Sequence, residues 1–437
     1  VTATPIPTGL LGLLGPTPSP YARAVACFGR LRLDATRTVL GRSIAAAGVA
    51  GLLLAVTACG QQTPMSGSAG SNAPTSPAPL PTKAPATTDA PLRAGETFET
   101  VGLARPFTPV PPPDATDEYR CFLVDPHITA KSFLMGSQFM PQNGAIVHHA
   151  ILYKVDPSDV VSARAADAAD PGDGWTCFGG DGVGRSGASL ASAGNGSWVG
   201  AWAPGAHETL LGDKLGYEMD PGTQLVMQIH YNLLATNGKP GEKDQTKVRL
   251  RLSHATDITA LQTMLVAAPI ELPCTSQESG PLCDRAAAIA DLEHRFGPDA
   301  ASTAHDLTIQ CDAGQQPKPG NTQSCEMRLP DAGTIYSVTG HMHLLGVSIS
   351  VELNPGSANP EMLLDLPHFN FDDQGARPLV TPLKVNAGAT LKVTCTYDAS
   401  LRSKLPQLKN LKPRYVVWGD GTSDEMCLGI VAWTPGV

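Results

Sequence analysis

The chain is poor in aromatic side chains, 5% of 437 residues, and poor in charge, with only 16% Asp, Glu, Lys and Arg. No Lys/Arg cluster stands out and the formal net charge is −9, so the basic footprint of a nucleic-acid-binding protein is missing. No two cysteines are spaced CxxC, which argues against a cysteine zinc site. There is no Gly-rich phosphate loop and no GxSxG nucleophile; Gly333, Gly340 and Gly346 read as turn residues. The apolar run at residues 43–58 is too short to span a bilayer comfortably.

What is present in quantity is turn-forming sequence, with 39 prolines and 44 glycines, which favours strands over long helices. The run at 43–58 follows Arg37 and Arg42 and matches the hydrophobic core of an export signal. It ends in Val56-Thr57-Ala58-Cys59-Gly60. Small residues before a cysteine resemble a bacterial lipobox, with Cys59 lipidated and becoming the mature N-terminus. The alternative is ordinary signal cleavage, with Cys59 lost or free. Residues 1–34 are odd upstream of such a signal, and a later valine such as Val39 would then be the initiator. From Gln61 to about Thr97 the Ser/Pro/Thr/Ala-rich composition offers too little apolar area to offset ordering, so a disordered tether is expected.

Setting aside Cys27 and Cys59, eight cysteines remain: Cys121, Cys177, Cys274, Cys283, Cys311, Cys325, Cys395 and Cys427. An even count fits disulfides in an oxidising compartment. Sequence alone does not fix the pairing; the expected set is 121–177, 274–283, 311–325 and 395–427, each within one domain. From about Val101, short runs rich in Val, Ile, Leu and Tyr alternate with Pro, Gly, Asn and Asp: residues 145–155, 223–233, 247–252, 334–338, 346–353, 389–397 and 414–418. These lengths and turn signals predict an all-β chain of β-sandwiches. Residues 281–296 suggest one short helix, inside a disulfide-tied insertion at 273–325. A domain break is expected near 253–259. The expected organisation is therefore a signal region at 1–59, a tether at 60–100, and folded domains at 101–255 and 256–437.

Ligand-type residues divide along that break. His148, His149 and His230 precede it; His341, His343 and Met426 follow it. Three imidazoles beside two imidazoles and a thioether suit copper, because thioether sulfur selects Cu(I) and imidazole accepts both oxidation states. In a strand, residues i and i+2 face the same side, so His341 and His343 would meet one metal with Met342 pointing away. Alternatively the pair is surface or core histidine and Met426 core filler. Cys427 would anchor the loop carrying Met426. Adjacent His148 and His149 need a bulge or a strand end to share a metal; otherwise one is a bystander. His230, alone on an apolar strand, would ordinarily be a satisfied core residue. His127, His207, His254, His294, His305 and His368 have no partner at ligand spacing and read as structural or solvated.

At these residues the chain resembles the copper type II, ascorbate-dependent monooxygenases. The resemblance rests on Tyr119-Arg120-Cys121, Val147-His148-His149-Ala150-Ile151-Leu152, Ala203-Pro204-Gly205, Gln228-Ile229-His230-Tyr231-Asn232, His341-Met342-His343-Leu344-Leu345-Gly346 and Ser423-Asp424-Glu425-Met426-Cys427, in the family's order. It implies two tandem jelly-roll-like β-sandwich domains, each with one copper, facing each other across a solvent cleft. It implies that His148, His149 and His230 hold the electron-transfer copper. It also implies that His341, His343 and Met426 hold the copper that binds O2 and attacks the substrate. Gln228 and Tyr119 match positions near the first site. Where the peptidylglycine enzymes of the family place a carboxylate-anchoring arginine, this chain has Thr339, and two polar anchors after the methionine are Leu428 and Ile430. The charge-assisted grip of an arginine on a carboxylate is lost with it, so a less polar substrate than a glycine-extended peptide is expected. The insertion at 273–325 has no counterpart in the family pattern.

The sequence thus reads as an exported cell-envelope lipoprotein, anchored to a membrane at Cys59. Its expected activity is hydroxylation of a small organic substrate with O2, using two copper ions and ascorbate or another reductant, without nucleic acid. The rival is a copper-binding or copper-delivery lipoprotein without turnover. A purely structural sandwich adhesin is a third reading, and it predicts no stoichiometric copper.

Overall fold

Alternating apolar residues bounded by turn signals do become strands here, in register with one another over most of the chain. A computed structural model describes residues 79–80 and 90–436, except 113–114, 178–179, 184–196, 205, 237–238, 240, 313 and 316–317. The apolar run at 43–58, Cys59 and most of the Ser/Pro/Thr/Ala stretch lie outside the described residues.

The N-terminal strands are β1 (Glu96–Gly102), β2 (Asp117–Val124), β3 (Ser132–Met140), β4 (Val147–Val155), β5 (Trp175–Thr176) and β6 (Trp198–Trp202). They continue with β7 (Thr209–Leu210), β8 (Leu215–Met219), β9 (Gln224–Asn232), β10 (Lys247–Ser253) and β11 (Thr259–Ala260). One sheet has the order β1-β10-β3-β8-β11, with β7 beside β3; its companion has the order β5-β2-β9-β4-β6. Leu134 and Leu250 from the first sheet and Leu152 and Met227 from the second share one apolar core.

The remaining strands are β12 (Gln262–Ala267), β13 (Glu271–Leu272), β14 (Thr322–Arg328), β15 (Gly333–His341) and β16 (Gly346–Leu353). After them come β17 (Glu361–Leu366), β18 (Arg377–Val385), β19 (Thr390–Tyr397), β20 (Val416–Val417) and β21 (Leu428–Pro435). They form the sheets β12-β21-β15-β18 and β14-β19-β16-β17 and the small pair β13-β20. Val266, Ile335 and Val431 meet Val351 and Val393 in a second core. Ala432 and Tyr336 also reach into the first core, which ties the two halves together.

Three boundaries differ from expectation. The tether was expected to run to about Thr97, yet β1 begins at Glu96 and pairs along its whole length with β10. The cause is electrostatic: buried Arg251 takes Glu96 and Glu208 as partners and donates to the carbonyls of Ala90 and Pro91. The expected break at 255–256 also comes early, because β11 still pairs in parallel with β8. The run at 414–418 keeps only two strand residues, Val416 and Val417.

The insertion holds two helices, Arg285–Phe296 and Pro298–Asp312, where the sequence suggested one. Asp284 caps the first by accepting from the Ala287 N–H. Gly297, at φ 88°, ends it, a conformation that costs glycine no steric strain. Cys274–Cys283 and Cys311–Cys325 staple the insertion, and Cys121–Cys177 and Cys395–Cys427 complete the expected pairing. A further helix, Val160–Ala169, had no strong signal because it buries only Ala163.

The first insertion helix packs on the loop that carries Met426. Arg295 makes paired hydrogen bonds at 2.9 and 2.7 Å to the carboxylate of Asp424. The approach is so close that a Cβ at Gly421 would stand 2.6 Å from an Asp424 oxygen and 2.8 Å from the Phe296 ring. Breaking a buried pair by removing one partner strands the other charge. Arg414, 3.7 Å from Asp424, would offset part of that loss. Arg295→Leu is therefore expected to lower unfolding stability by about 3 kcal/mol, read as a reduced denaturation midpoint in urea; an unchanged midpoint would show that the clamp carries no stability.

Candidate metal centre

Two adjacent strand residues normally face opposite ways, and the first histidine pair escapes that rule through a bulge. On β4, Val147 stands opposite Tyr231 and His149 opposite His230, so the register slips at His148. Both imidazoles then turn toward His230, which closes the mostly apolar β9. The Nδ1 of His230 lies 3.0 Å from that of His148 and 3.3 Å from that of His149. One ligand atom from each of the three lies within 4.8 Å of the others.

The protons around this cluster can be assigned from its neighbours. Asp117, from β2, lies 2.8 Å from the far nitrogen of His230, Nε2. Burial opposes its charge, but His230, Thr422 and Asn232 hold its carboxyl well below the usual range. An ionised carboxylate only accepts, so Nε2 of His230 carries a proton toward Asp117 and Nδ1 is the nitrogen turned to the other two rings. Burial, and then the neighbouring His230, push His148 and His149 well below the ordinary imidazole value. His148 and His149, both neutral, thus aim ring nitrogens at the same point as His230 Nδ1. Tyr119 stacks on His230 with ring centroids 4.1 Å apart, and burial raises its hydroxyl pKa. That hydroxyl donates to the carbonyl of Asp420 and so has no second proton for the His230 Nδ1 only 3.0 Å away. A cation bound at that point would take a nitrogen from each ring, and a three-nitrogen set is one that copper or zinc accepts.

The second set is built at the end of β15. His341 is the last strand residue, Met342 turns into the apolar core, and His343 follows. The rings of His341 and His343 have centroids 5.3 Å apart. The Gln374 amide donates to the carbonyl of Phe371, so its oxygen, 2.6 Å from His341 Nδ1, accepts there. His343 Nδ1 donates to the carbonyl of Asp424 at 3.0 Å. Both rings therefore keep the proton on Nδ1 and a lone pair on Nε2. Burial lowers their pKa values to about 3 for His341 and about 4 for His343, so both are neutral at pH 7. The Nε2 of His343 is buried and meets no hydrogen-bond partner. An orphaned buried nitrogen is costly unless something coordinates it.

Met426 lies half-buried on the wall of a cavity of about 170 Å3 that His341 and His149 also line. Its backbone is fixed from several sides. Tyr397 donates to its carbonyl at 2.8 Å, Cys427 is bonded to Cys395, and the Glu425 carboxylate accepts from the N–H groups of His343 and Leu345. A thioether on the same cavity wall as His341 suits Cu(I) better than zinc.

The open cleft expected between the two sets is closed at one point. His149 and His341 have ring centroids 6.2 Å apart, and the His148 ring lies 5.2 Å from that of Phe371. The closing contacts are polar: Thr422 donates to Asp117, and Tyr119 to Asp420. Gln228 stands in the cavity lining with His149 and Tyr119. Its amide donates to the carbonyl of Gly180, so it lines the cavity without bonding a histidine. The six remaining histidines are all exposed. Sequence reasoning missed Asp117, Asn232, Gln374, Asp424 and Glu425; an Asp two residues before Tyr119 and an Asp-Glu pair before Met426 were the available signals.

Residues 318–436 match the family model described as copper type II ascorbate-dependent monooxygenase, C-terminal domain. That stretch is about a quarter of the chain, and the likeness to the copper type II ascorbate-dependent monooxygenases is to their C-terminal domain. The matched stretch includes His341, His343, Gln374, Asp424 and Met426. No curated protein matches the chain. Among solved structures, the chain is similar at 15% identity to a Paenibacillus xanthan lyase, covering 83% of this chain and 27% of that one, with a TM-score of 0.16. It is similar at 10% identity to dimeric latent PorU from Porphyromonas gingivalis, covering 74% and 24%, with a TM-score of 0.15. It also matches an infectious bursal disease virus VP2 subviral particle at 8% identity, covering 82% and 76%, with a TM-score of 0.17. The chain thus spans about a quarter of the first two, and likenesses this slight carry no argument.

Groups behind a metal-binding imidazole fix its tautomer and raise its basicity, and losing one typically costs 10–100-fold in metal affinity. Asp117→Asn is accordingly expected to weaken Cu(I) binding at the three-histidine cluster by at least about tenfold, measured by competition against a Cu(I) chelator. Affinity equal to the parent protein would remove Asp117 from that role.

Proposed function

We propose that this chain is a copper-dependent monooxygenase that hydroxylates a C–H bond of a small organic substrate. O2 is the oxidant, and ascorbate or another external donor is the reductant. The reaction class is R–H + O2 + two electrons + two protons giving R–OH + H2O. The observation that supports this reading is a converging cluster of His148, His149 and His230 whose His149 lines one cavity with His341 and Met426, the His343 ring standing next to that of His341. A protein that only stored or delivered copper would not need a chamber of this size walled by both sets.

Copper, when bound, supplies the O2 and one-electron chemistry that side chains lack. His341, His343 and Met426 would hold the ion nearer the substrate, and His148, His149 and His230 would hold the second. Asp117 keeps the His230 proton on Nε2. Gln374 and the Asp424 carbonyl keep the His341 and His343 protons on Nδ1. Tyr119 packs against His230 and joins it to the loop at Asp420. The apolar cavity wall excludes water that would compete with substrate. At the level of fold, each pair of facing sheets is read as a jelly-roll-like sandwich, one per metal set. The proposal includes export and a lipid anchor at Cys59, which would hold the enzyme at a membrane surface.

Metal analysis of the purified mature protein should return two coppers per chain, with a Cu–S scatterer in X-ray absorption of the reduced form. Met426→Ala should lose that scatterer and abolish ascorbate-driven hydroxylation and O2 uptake, while copper stays at His148, His149 and His230. Copper content falling to zero in this variant would count against two separate sites. Silence of the parent protein with a wide substrate panel, both coppers bound and reducible, would favour a copper-handling protein without turnover.

A further inference from the structure

From β1 onward, the chain passes from the first half to the second between β11 and β12. The residues before β1 make a further tie, because they touch both halves. Leu80 donates its N–H to the carbonyl of Met362 at 2.8 Å, and Pro79 forms a parallel bridge with the same residue. Met362 lies on β17, the outermost strand of the sheet β14-β19-β16-β17. An outermost strand carries backbone groups in want of partners, and Pro79 and Leu80 supply some. The Leu80 side chain is half-buried against the core of the second half.

A few residues later the chain is fixed to the first half. Buried Arg251 donates to the carbonyls of Ala90 and Pro91 at 2.8 and 3.0 Å, and the Ala90 N–H reaches Glu208 at 3.4 Å. The Arg93 guanidinium donates to the carbonyls of Leu211 and Gly212. Its backbone N–H donates to Glu96 at 2.7 Å. Glu208, Leu211 and Gly212 belong to one short segment, in which Ala206, Thr209 and Leu211 line the cavity beside the metal sets. This anchor therefore grips part of the cavity wall.

Two anchors on one chain reinforce each other. One backbone hydrogen bond and one half-buried leucine are little to hold a free peptide, which must also give up its translational freedom. Joined to the Arg251 anchor, the same contact becomes intramolecular, with an effective concentration on the order of millimolar. Leu80 and Ala90 can stand at most roughly 36 Å apart along an extended chain. The halves cannot part beyond that reach unless one anchor lets go.

We propose that the anchors at Pro79–Leu80 and Ala90–Arg93 act together as a strap. It ties β17 of the second half to the cavity-wall segment of the first, and holds the halves closed around the cavity. Severing the strap loosens that wall. The inference holds with or without turnover at the metal sets, so its failure leaves the monooxygenase reading untouched.

Hydrogen exchange on the mature chain, read by NMR and mass spectrometry, tests it. One preparation carries a protease recognition sequence between Thr87 and Thr88, so that cut and uncut forms share one sequence. In the uncut form the amide of Leu80 should exchange at least about tenfold more slowly than in a free peptide. Cutting should abolish that protection. It should also speed exchange at least about threefold at Asp424, whose N–H bonds to Gly421 in the loop where the halves meet. Leu80→Asp, left uncut, should act at Asp424 in the same way. Arg93→Ala should speed exchange at Leu211, whose N–H bonds to Met135. Far-UV circular dichroism like the parent's shows that a variant is folded, and the cut form gives the answer where a substitution prevents folding. Free-peptide exchange of Leu80 in the uncut form, or an Asp424 amide unmoved by the cut, overturns the proposal. So does an unmoved Leu211 amide in folded Arg93→Ala, which would remove the anchor on the cavity wall.

Discussion

One buried carboxylate joins both metal sets. Asp117 accepts from His230 Nε2 at 2.8 Å, from Asn232 at 2.7 Å and from Thr422 at 2.7 Å. The first contact orients an imidazole of the three-histidine cluster. The third holds the loop that carries Met426. A buried carboxylate tolerates ionisation only with several donors around it, so these partners cannot be released one at a time without cost. The proximity of His149 to His341 follows from this arrangement. With the loop drawn onto β2 and β9, the end of β15 comes along, because Asp424 and Glu425 grip His343 and Leu345.

The same loop is held from the far side by the helical insertion. Arg295 and Arg414 surround Asp291 and Asp424, mostly out of solvent. Buried ion pairs of this kind contribute little net stability against a well-packed apolar alternative. Their effect here is positional. Asp424 uses its side chain to meet the insertion and its carbonyl to meet His343, so insertion helix and imidazole share one residue. That gives the residues at 273–325 a physical role at the site, although they carry no ligand of their own.

The strands and the grouping of His148, His149 and His230 were legible in the sequence because strand period, turn residues and ligand chemistry are local signals. The His148 bulge was even required by the pairing of two adjacent histidines with one partner, and β4 supplies it. The supporting groups were not legible, because each acts across the chain. Thr422 and Asp117 are 305 residues apart, and His343 and Glu425 82 apart. Nothing in a single sequence distinguishes such an aspartate from a solvated one. The second insertion helix escaped for another reason. Its buried residues are mostly small or polar, Ala300, Ala304 and Thr308 beside Leu307, and so slight an apolar stripe gives a faint helical period.

The two sets differ in more than sulfur. In one, Nδ1 atoms converge and a carboxylate stands behind the His230 ring; in the other, neutral acceptors, an amide and a backbone carbonyl, take the Nδ1 atoms and leave Nε2 as the outward nitrogen. A carboxylate partner makes an imidazole more basic and favours the higher charge on a bound ion, whereas neutral acceptors do so less. Thioether sulfur pulls the same way as the neutral acceptors, toward Cu(I). In the copper reading both features therefore act in one direction. The three-histidine set would then favour the more highly charged ion, and the set on the cavity wall would favour Cu(I). That division of labour would be written in the groups behind the ligands as much as in the ligands themselves.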